Sequence, residues 1–282
     1  MRRIFLAIPL FFGIALPAHA AGVTCTIKAA ETVQKEQFDE LLAACNETLR
    51  EKPLNSEALY VRGSLLSEIR DEPSALKAVQ DLSNSILLAP KFADSYYNRS
   101  AVYLTLGEWK KVVADASKAI ELDPGSGGAY HNRGLAHMAL AAYHEAVEDF
   151  TGAIDAGYSQ NYGSTYEFRA LALEKADRLE EALADYSRAI DDLQGSKYEH
   201  ILPEAYNGRA WVLHRLGRDS EALPDAELSL RLDGKSAAAL DTRAHIYERL
   251  GRTAQAIADY RHALEIEPTL EGSKEGLERL VK

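Results

Sequence analysis

The chain repeats itself. Five-residue segments align at Leu59-Tyr60-Val61-Arg62-Gly63, Tyr96-Tyr97-Asn98-Arg99-Ser100, Tyr130-His131-Asn132-Arg133-Gly134, Tyr166-Glu167-Phe168-Arg169-Ala170, Tyr206-Asn207-Gly208-Arg209-Ala210 and Leu240-Asp241-Thr242-Arg243-Ala244. Each is followed by an aspartate: Asp81, Asp115, Asp149, Asp185, Asp225 and Asp259, at successive spacings of 34, 34, 36, 40 and 34 by subtraction. A period near 34 accommodates two helices and their turns. A unit that short cannot bury its own apolar face, so neighbouring units must stack to make a core. Leu106-Gly107, Leu216-Gly217 and Leu250-Gly251 each put a glycine just after a helical stretch, where the chain can turn left-handed and open a second helix. Short insertions at Asp71-Glu72-Pro73 and between Gly195 and Ile201 bulge at turns, because the helical pattern resumes in phase. No segment reads as a strand.

Small and aromatic residues recur within each unit. The last carries Ala244, Gly251, Ala256, Tyr260, Ala263 and Pro268, and earlier ones carry Gly134, Ala146, Phe150 and Ala153, then Ala170, Ala182, Tyr186 and Ala189. In this the chain resembles the tetratricopeptide family, over residues 22 to 270. It departs from the pattern where Tyr158, Gln194 and Gly234 replace the closing proline, and where Val112 and Ser229 replace alanines. The resemblance implies an all-α, right-handed superhelix of about six hairpins. A degenerate first unit over 21–55 precedes the array at 56–270, and a capping helix over 271–282 closes it. It also implies a concave wall lined by the first helix of each unit, where the family holds peptides or protein domains. Carried onto this chain, the inward positions are Tyr97, Asn98, His131, Asn132, Glu167, Phe168, Asn207, Trp211, His214, Asp241 and His245. Trp211 reads equally as an interface anchor or as packing against the next helix. The Lys and Asn set by which chaperone-binding relatives clamp a terminal carboxylate is missing.

The repeating Arg and Asp form a second pattern: Arg62 with Asp81, Arg99 with Asp115, Arg133 with Asp149, Arg169 with Asp185, Arg209 with Asp225 and Arg243 with Asp259. In the last five units the partners lie 16 residues apart with the turn midway, so an antiparallel hairpin brings them to one height. An active site needs one asymmetric cluster, not the same pair six times. These are read as a structural charge ladder, and the chain as a non-enzyme.

The N-terminus reads as an export signal over residues 1–20. Arg2 and Arg3 precede an apolar run from Ile4 to Leu16, and Ala18-His19-Ala20 offers a cleavage site. An uncleaved anchor or simple secretion is the alternative to a bacterial periplasmic protein. Losing the leader takes the net charge from −11 to −13, a poor surface for nucleic acid. No later segment is long and apolar enough to insert in a membrane. Counting back one period places Cys25 in the first helix of the degenerate unit and Phe38, Leu41, Cys45 and Pro53 in its second, with the cysteines ten residues either side of Lys35. Two cysteines in an exported chain read as a disulfide. The scattered histidines give no metal site, and no cofactor motif is present. The expected role is a scaffold of the cell envelope for a protein or peptide partner. A structural protein that associates with itself through the ends or edges of the array is the alternative.

Overall fold

The computed structural model describes residues 23–281 apart from 33, 35–36, 70 and 159–161. The expected export signal over residues 1–20 therefore lies outside the described residues, as does Lys35 at the expected first turn. The described chain is all-α and contains no strand. It divides into two compact units, α1–α7 with the turn that follows α8, and α8–α15.

In the first unit the helices are α1 (Ile27–Thr32), α2 (Phe38–Glu51), α3 (Ser56–Ser67), α4 (Glu72–Leu88), α5 (Ala93–Leu106), α6 (Trp109–Leu122) and α7 (Gly127–Ala139). α3 pairs with α4 and α5 with α6, while α5 also meets α3 and α7 side by side. The starts are written locally. Asn55 caps α3 by accepting from the Ala58 amide, and Asp71 caps α4 by accepting from Ser74 at 2.7 Å, with Pro73 in the first turn. Gly107 ends α5 at φ 72°, a conformation that costs other residues about 1 to 2 kcal/mol.

The N-terminal element departs from expectation in one respect. Cys25 precedes α1, a helix of only six residues, instead of lying within it. It is nevertheless bonded to Cys45 of α2, and the pair is buried with Leu41, Leu49, Leu59 and Val61. The disulfide thus ties a short terminal segment, which has few packing partners of its own, to a core shared with α3.

In the second unit the helices are α8 (Tyr143–Asp155), α9 (Tyr162–Lys175), α10 (Leu179–Leu193), α11 (Leu202–Arg215), α12 (Asp219–Leu232), α13 (Ala237–Arg249), α14 (Thr253–Ile266) and α15 (Glu271–Leu280). The insertion before α11 forms a turn of 3-10 helix at Glu199–Ile201. α9 pairs with α10, α11 with α12 and α13 with α14, and α15 packs on α13 and α14. Side chains at Gly208 or Gly276 would collide with the rings of Tyr186 and Tyr260. Glycine at these places is what lets a first helix close over the aromatic of the preceding hairpin. Each of these hairpins is centred on fully buried alanines, such as Ala210, Ala222 and Ala226.

The Arg and Asp pairs are closed by two parallel hydrogen bonds of 2.6 to 2.9 Å in five repeats: Arg62 with Asp81, Arg99 with Asp115, Arg169 with Asp185, Arg209 with Asp225 and Arg243 with Asp259. The same guanidinium also reaches back to the second helix of the preceding repeat. Arg99 donates to Ser83 at 2.8 Å, Arg133 to Ser117 at 3.0 Å, Arg169 to Thr151 at 3.0 Å and Arg209 to Ser187 at 3.3 Å. Each of Arg99, Arg169 and Arg209 therefore fixes its own hairpin and its neighbour together. A tyrosine ring one turn away covers it, for example Tyr166 with its centroid 5.4 Å from Arg169.

Candidate functional site

The first helix of each repeat carries a polar face, built differently in the two units. In the first unit most of it is spent internally. Asn98 donates to Ser64 Oγ at 2.7 Å and Asn132 to Ser100 Oγ at 3.0 Å, so the two amides stitch α3 to α5 and α5 to α7. Asn132 is only 3% exposed and His131 6%. The His131 ring lies 5.4 Å from Tyr158, and burial pushes its pKa down to about 4, so it is neutral at physiological pH. Tyr97 covers Gly128 of α7, and burial holds its phenol far above the ordinary tyrosine range. This face is a packed seam.

The second unit differs. α9, α11, α13 and α15 touch in sequence. Asn207, Trp211 and His214 lie at i, i+4 and i+7 on α11, and Asp241, His245 and Glu248 do the same on α13, which puts each set on one face. The half-buried Trp211 ring sits 5.4 Å from His214 and 5.6 Å from His245. The two imidazoles are 6.0 Å apart, and His245 meets Tyr260 edge-on at 5.2 Å.

This cluster is held from behind. His214 Nδ1 is 2.5 Å from Asp219 Oδ1, and Arg249 donates to the His214 carbonyl at 2.8 Å. Tyr260 Oη is 2.8 Å from both His245 Nδ1 and Glu248 Oε2. Arg279 of α15 clamps Glu248 with two bonds of 3.0 Å, and Ser273 of α15 donates to Asp241 at 2.6 Å. Burial lowers the pKa of His245, with Asp241 opposing the shift.

Beside this cluster, the Glu167 carboxyl on α9 is pushed up to about 8, first by burial and then by the charge of Glu204 on α11. Burial likewise raises Glu204. The Asn207 side-chain oxygen is buried without a hydrogen-bond partner. Phe168 turns away from this surface and stacks on Phe150 at 5.9 Å.

Of the positions assigned to the wall, the structure thus brings Trp211, His214, Asp241 and His245 into one cluster. Glu167 lies on the adjoining α9 and Asn207 one turn before Trp211 on α11, and Asn98, Asn132 and Phe168 go to helix packing. Asp219, Glu248, Tyr260, Ser273 and Arg279 were not singled out from sequence as members. Only Glu248 had a local signal, being one helical turn beyond His245. Among the described residues no group of three or more His, Cys, Asp or Glu is arranged to hold a metal ion.

Family models for the tetratricopeptide repeat match residues 93–126 and 127–156, and 237–270. The chain therefore carries tetratricopeptide repeats, consistent with the hairpins described above. Many solved structures share the fold, among them the following three. YrrB, described as a tetratricopeptide-repeat protein with an unusual peptide-binding site, is 22% identical with a TM-score of 0.58, over 70% of this chain and 97% of that one. The C-terminal part of a repeat protein from Cytophaga hutchinsonii is 14% identical with a TM-score of 0.60, over 86% and 95%. A repeat protein from Parabacteroides merdae is 19% identical with a TM-score of 0.55, over 88% and 94%. No curated protein sequence matches the chain.

Proposed function

We propose that this protein is a non-enzymatic scaffold of the cell envelope that holds a peptide or protein partner against the wall formed by α9, α11 and α13. Tetratricopeptide repeats are general protein-interaction scaffolds, and YrrB shows that a protein of this fold carries a peptide-binding site. The observation that carries the reading is the state of Trp211. It stays partly exposed while the residues around it are fixed by ion pairs and hydrogen bonds. A rigid indole of that kind loses little entropy on binding, which is how interface anchors work. The buried disulfide and the N-terminal leader support an exported, oxidising location.

A photoreactive amino acid in place of Trp211, activated in the living cell, tests the assignment. The expected result is one predominant protein adduct that the same probe at the outer-face residue Glu181 does not form. Identical adducts from both positions, or none from the Trp211 position, would remove the wall as the binding surface.

A further inference from the structure

Two carboxylates on the wall are left without a cation. The other acids around it are answered from within the fold. Glu174 meets Lys175 at 3.4 Å and Arg215 at 4.0 Å, and Asp219 meets His214 and, at 3.6 Å, Arg249. Asp241 accepts from Ser273 at 2.6 Å, and Glu248 is clamped by Arg279 at 3.0 Å. Glu167 on α9 and Glu204 on α11 differ: among the described residues neither is ion-paired with a lysine or arginine, and the charge of Glu204 acts on Glu167. Burial raises the pKa of Glu204 even though it lies in the first turn of α11, where a helix N-terminus favours negative charge. One turn further on, the Asn207 side-chain oxygen is buried without a hydrogen-bond partner. Asn207 and Glu167 each stand two residues before the ladder arginine of their repeats, and α9 touches α11. Three acceptors thus gather where no lysine or arginine of the described chain answers them.

We infer that the wall takes a basic segment of its partner, with a lysine or arginine side chain seated at Glu167, Glu204 and Asn207 and an apolar residue of the same segment lying on Trp211. The inference rests on the reading of this wall as the binding surface and adds the chemistry of the occupant. A lysine or arginine brings what the acceptors lack, several N–H donors and a positive charge. Trp211 lies seven residues beyond Glu204, two helical turns or about 10 Å along α11, which spans about three residues of an extended peptide. The indole suits an organic side chain rather than a bare metal ion. The excess of 43 acidic over 32 basic residues draws such a segment towards the protein, and the two unanswered carboxylates give it a place.

Seating a cation there has a signature in protons. With its pKa pushed up to about 8, Glu167 is mostly neutral at pH 7 and gives up its proton when the cation arrives. The titratable groups set against it are Glu204 and the Tyr186 phenol of α10, which burial keeps protonated. The affinity for a basic peptide therefore rises from pH 6 to pH 8.

The test is selection from a random peptide library against the parent and two double variants. Peptides held by the parent are expected to be enriched in lysine and arginine, and the pair Glu167→Gln and Glu204→Gln should lose that enrichment. The pair Glu180→Gln and Glu181→Gln, which removes the same charge from the exposed start of α10, should keep it. A synthetic peptide from the parent's pool, capped at both ends, should bind the wall double variant about tenfold more weakly. Its affinity should rise with pH for the parent and stay level for Glu167→Gln, with all variants sharing one circular dichroism spectrum. The inference is overturned by a pool without basic enrichment, by equal binding to the wall double variant, by an equal loss in the α10 control, or by one pH profile for the parent and Glu167→Gln. Peptides that are not basic yet are lost with Trp211→Ala remove this inference and leave the wall as the binding surface. Peptides indifferent to Trp211→Ala remove both.

Discussion

Replacing Arg169 with alanine should strip two helices of their common fastening. Arg169 makes two bonds to Asp185, at 2.6 and 2.8 Å, and a third to Thr151 of α8 at 3.0 Å, under the ring of Tyr166. The Asp185 side chain is only 10% exposed. Alanine leaves that carboxylate buried and without its guanidinium, which costs about 3 to 5 kcal/mol. Repeats this size melt a few degrees lower per kcal/mol, so the loss should appear as a fall in melting temperature of about 10 °C. Circular dichroism against temperature measures it. A double-mutant cycle gives the cause: Arg169→Ala with Asp185→Ala should be less damaged than Arg169→Ala alone, since no orphan charge remains. If Arg169→Ala melts within a degree or two of the parent, the pair is solvated and the reasoning fails.

Three other outcomes follow from the coordinates. Glu167 has its pKa raised from 4.5 to about 8; its neutral form is favoured in the fold, so its contribution is complete below about pH 4.5 and is lost as pH rises towards about 8. Glu167→Gln should flatten the stability profile across that window and raise stability at pH 8 by about 2 kcal/mol, less than the full linkage value because the residue keeps some contact with water; a profile parallel to the parent's would show that the carboxyl is ionised throughout. Ala141 ends α7 at φ 58°, where Gly107, Gly217 and Gly251 end other helices, so Ala141→Gly should stabilise by about 1 kcal/mol in chemical denaturation, and a loss would show that the strain is absent. Replacing both Cys25 and Cys45 by serine should cost about 3 kcal/mol and open the segment around α1 to protease, whereas unchanged cleavage there would mean that packing alone holds it.

The hairpins were legible because their determinants are local and repeated. A spacing of 16 with a glycine midway places Arg99 opposite Asp115, and the left-handed Gly107 turn is written in the residue itself. Contacts between repeats were less so. That Asn98 and Asn132 reach sideways to Ser64 and Ser100 depends on which residue occupies the neighbouring first helix, and counting within one hairpin cannot reveal it. The consequence is practical: Asn132→Ala, attractive as a groove variant from sequence, would report on packing. The backing of the wall was hidden for the same reason, since Tyr260 and Arg279 meet His245 and Glu248 only after α14 and α15 fold back. The six-residue α1 shows the converse case. A degenerate unit keeps the cysteines and the core of α2 but lacks the apolar periodicity to sustain a full first helix.

The claim at the centre is that the wall around Trp211 holds a peptide, and titration calorimetry with peptides selected from a random library against the parent protein tests it most directly. Trp211→Ala should bind such a peptide about thirtyfold more weakly, the effect of losing a hot-spot aromatic worth about 2 kcal/mol. Glu181→Ala, on the exposed face of α10, should bind it as the parent does, with all three proteins sharing one circular dichroism spectrum. Selected peptides that bind Trp211→Ala and the parent equally would contradict the account.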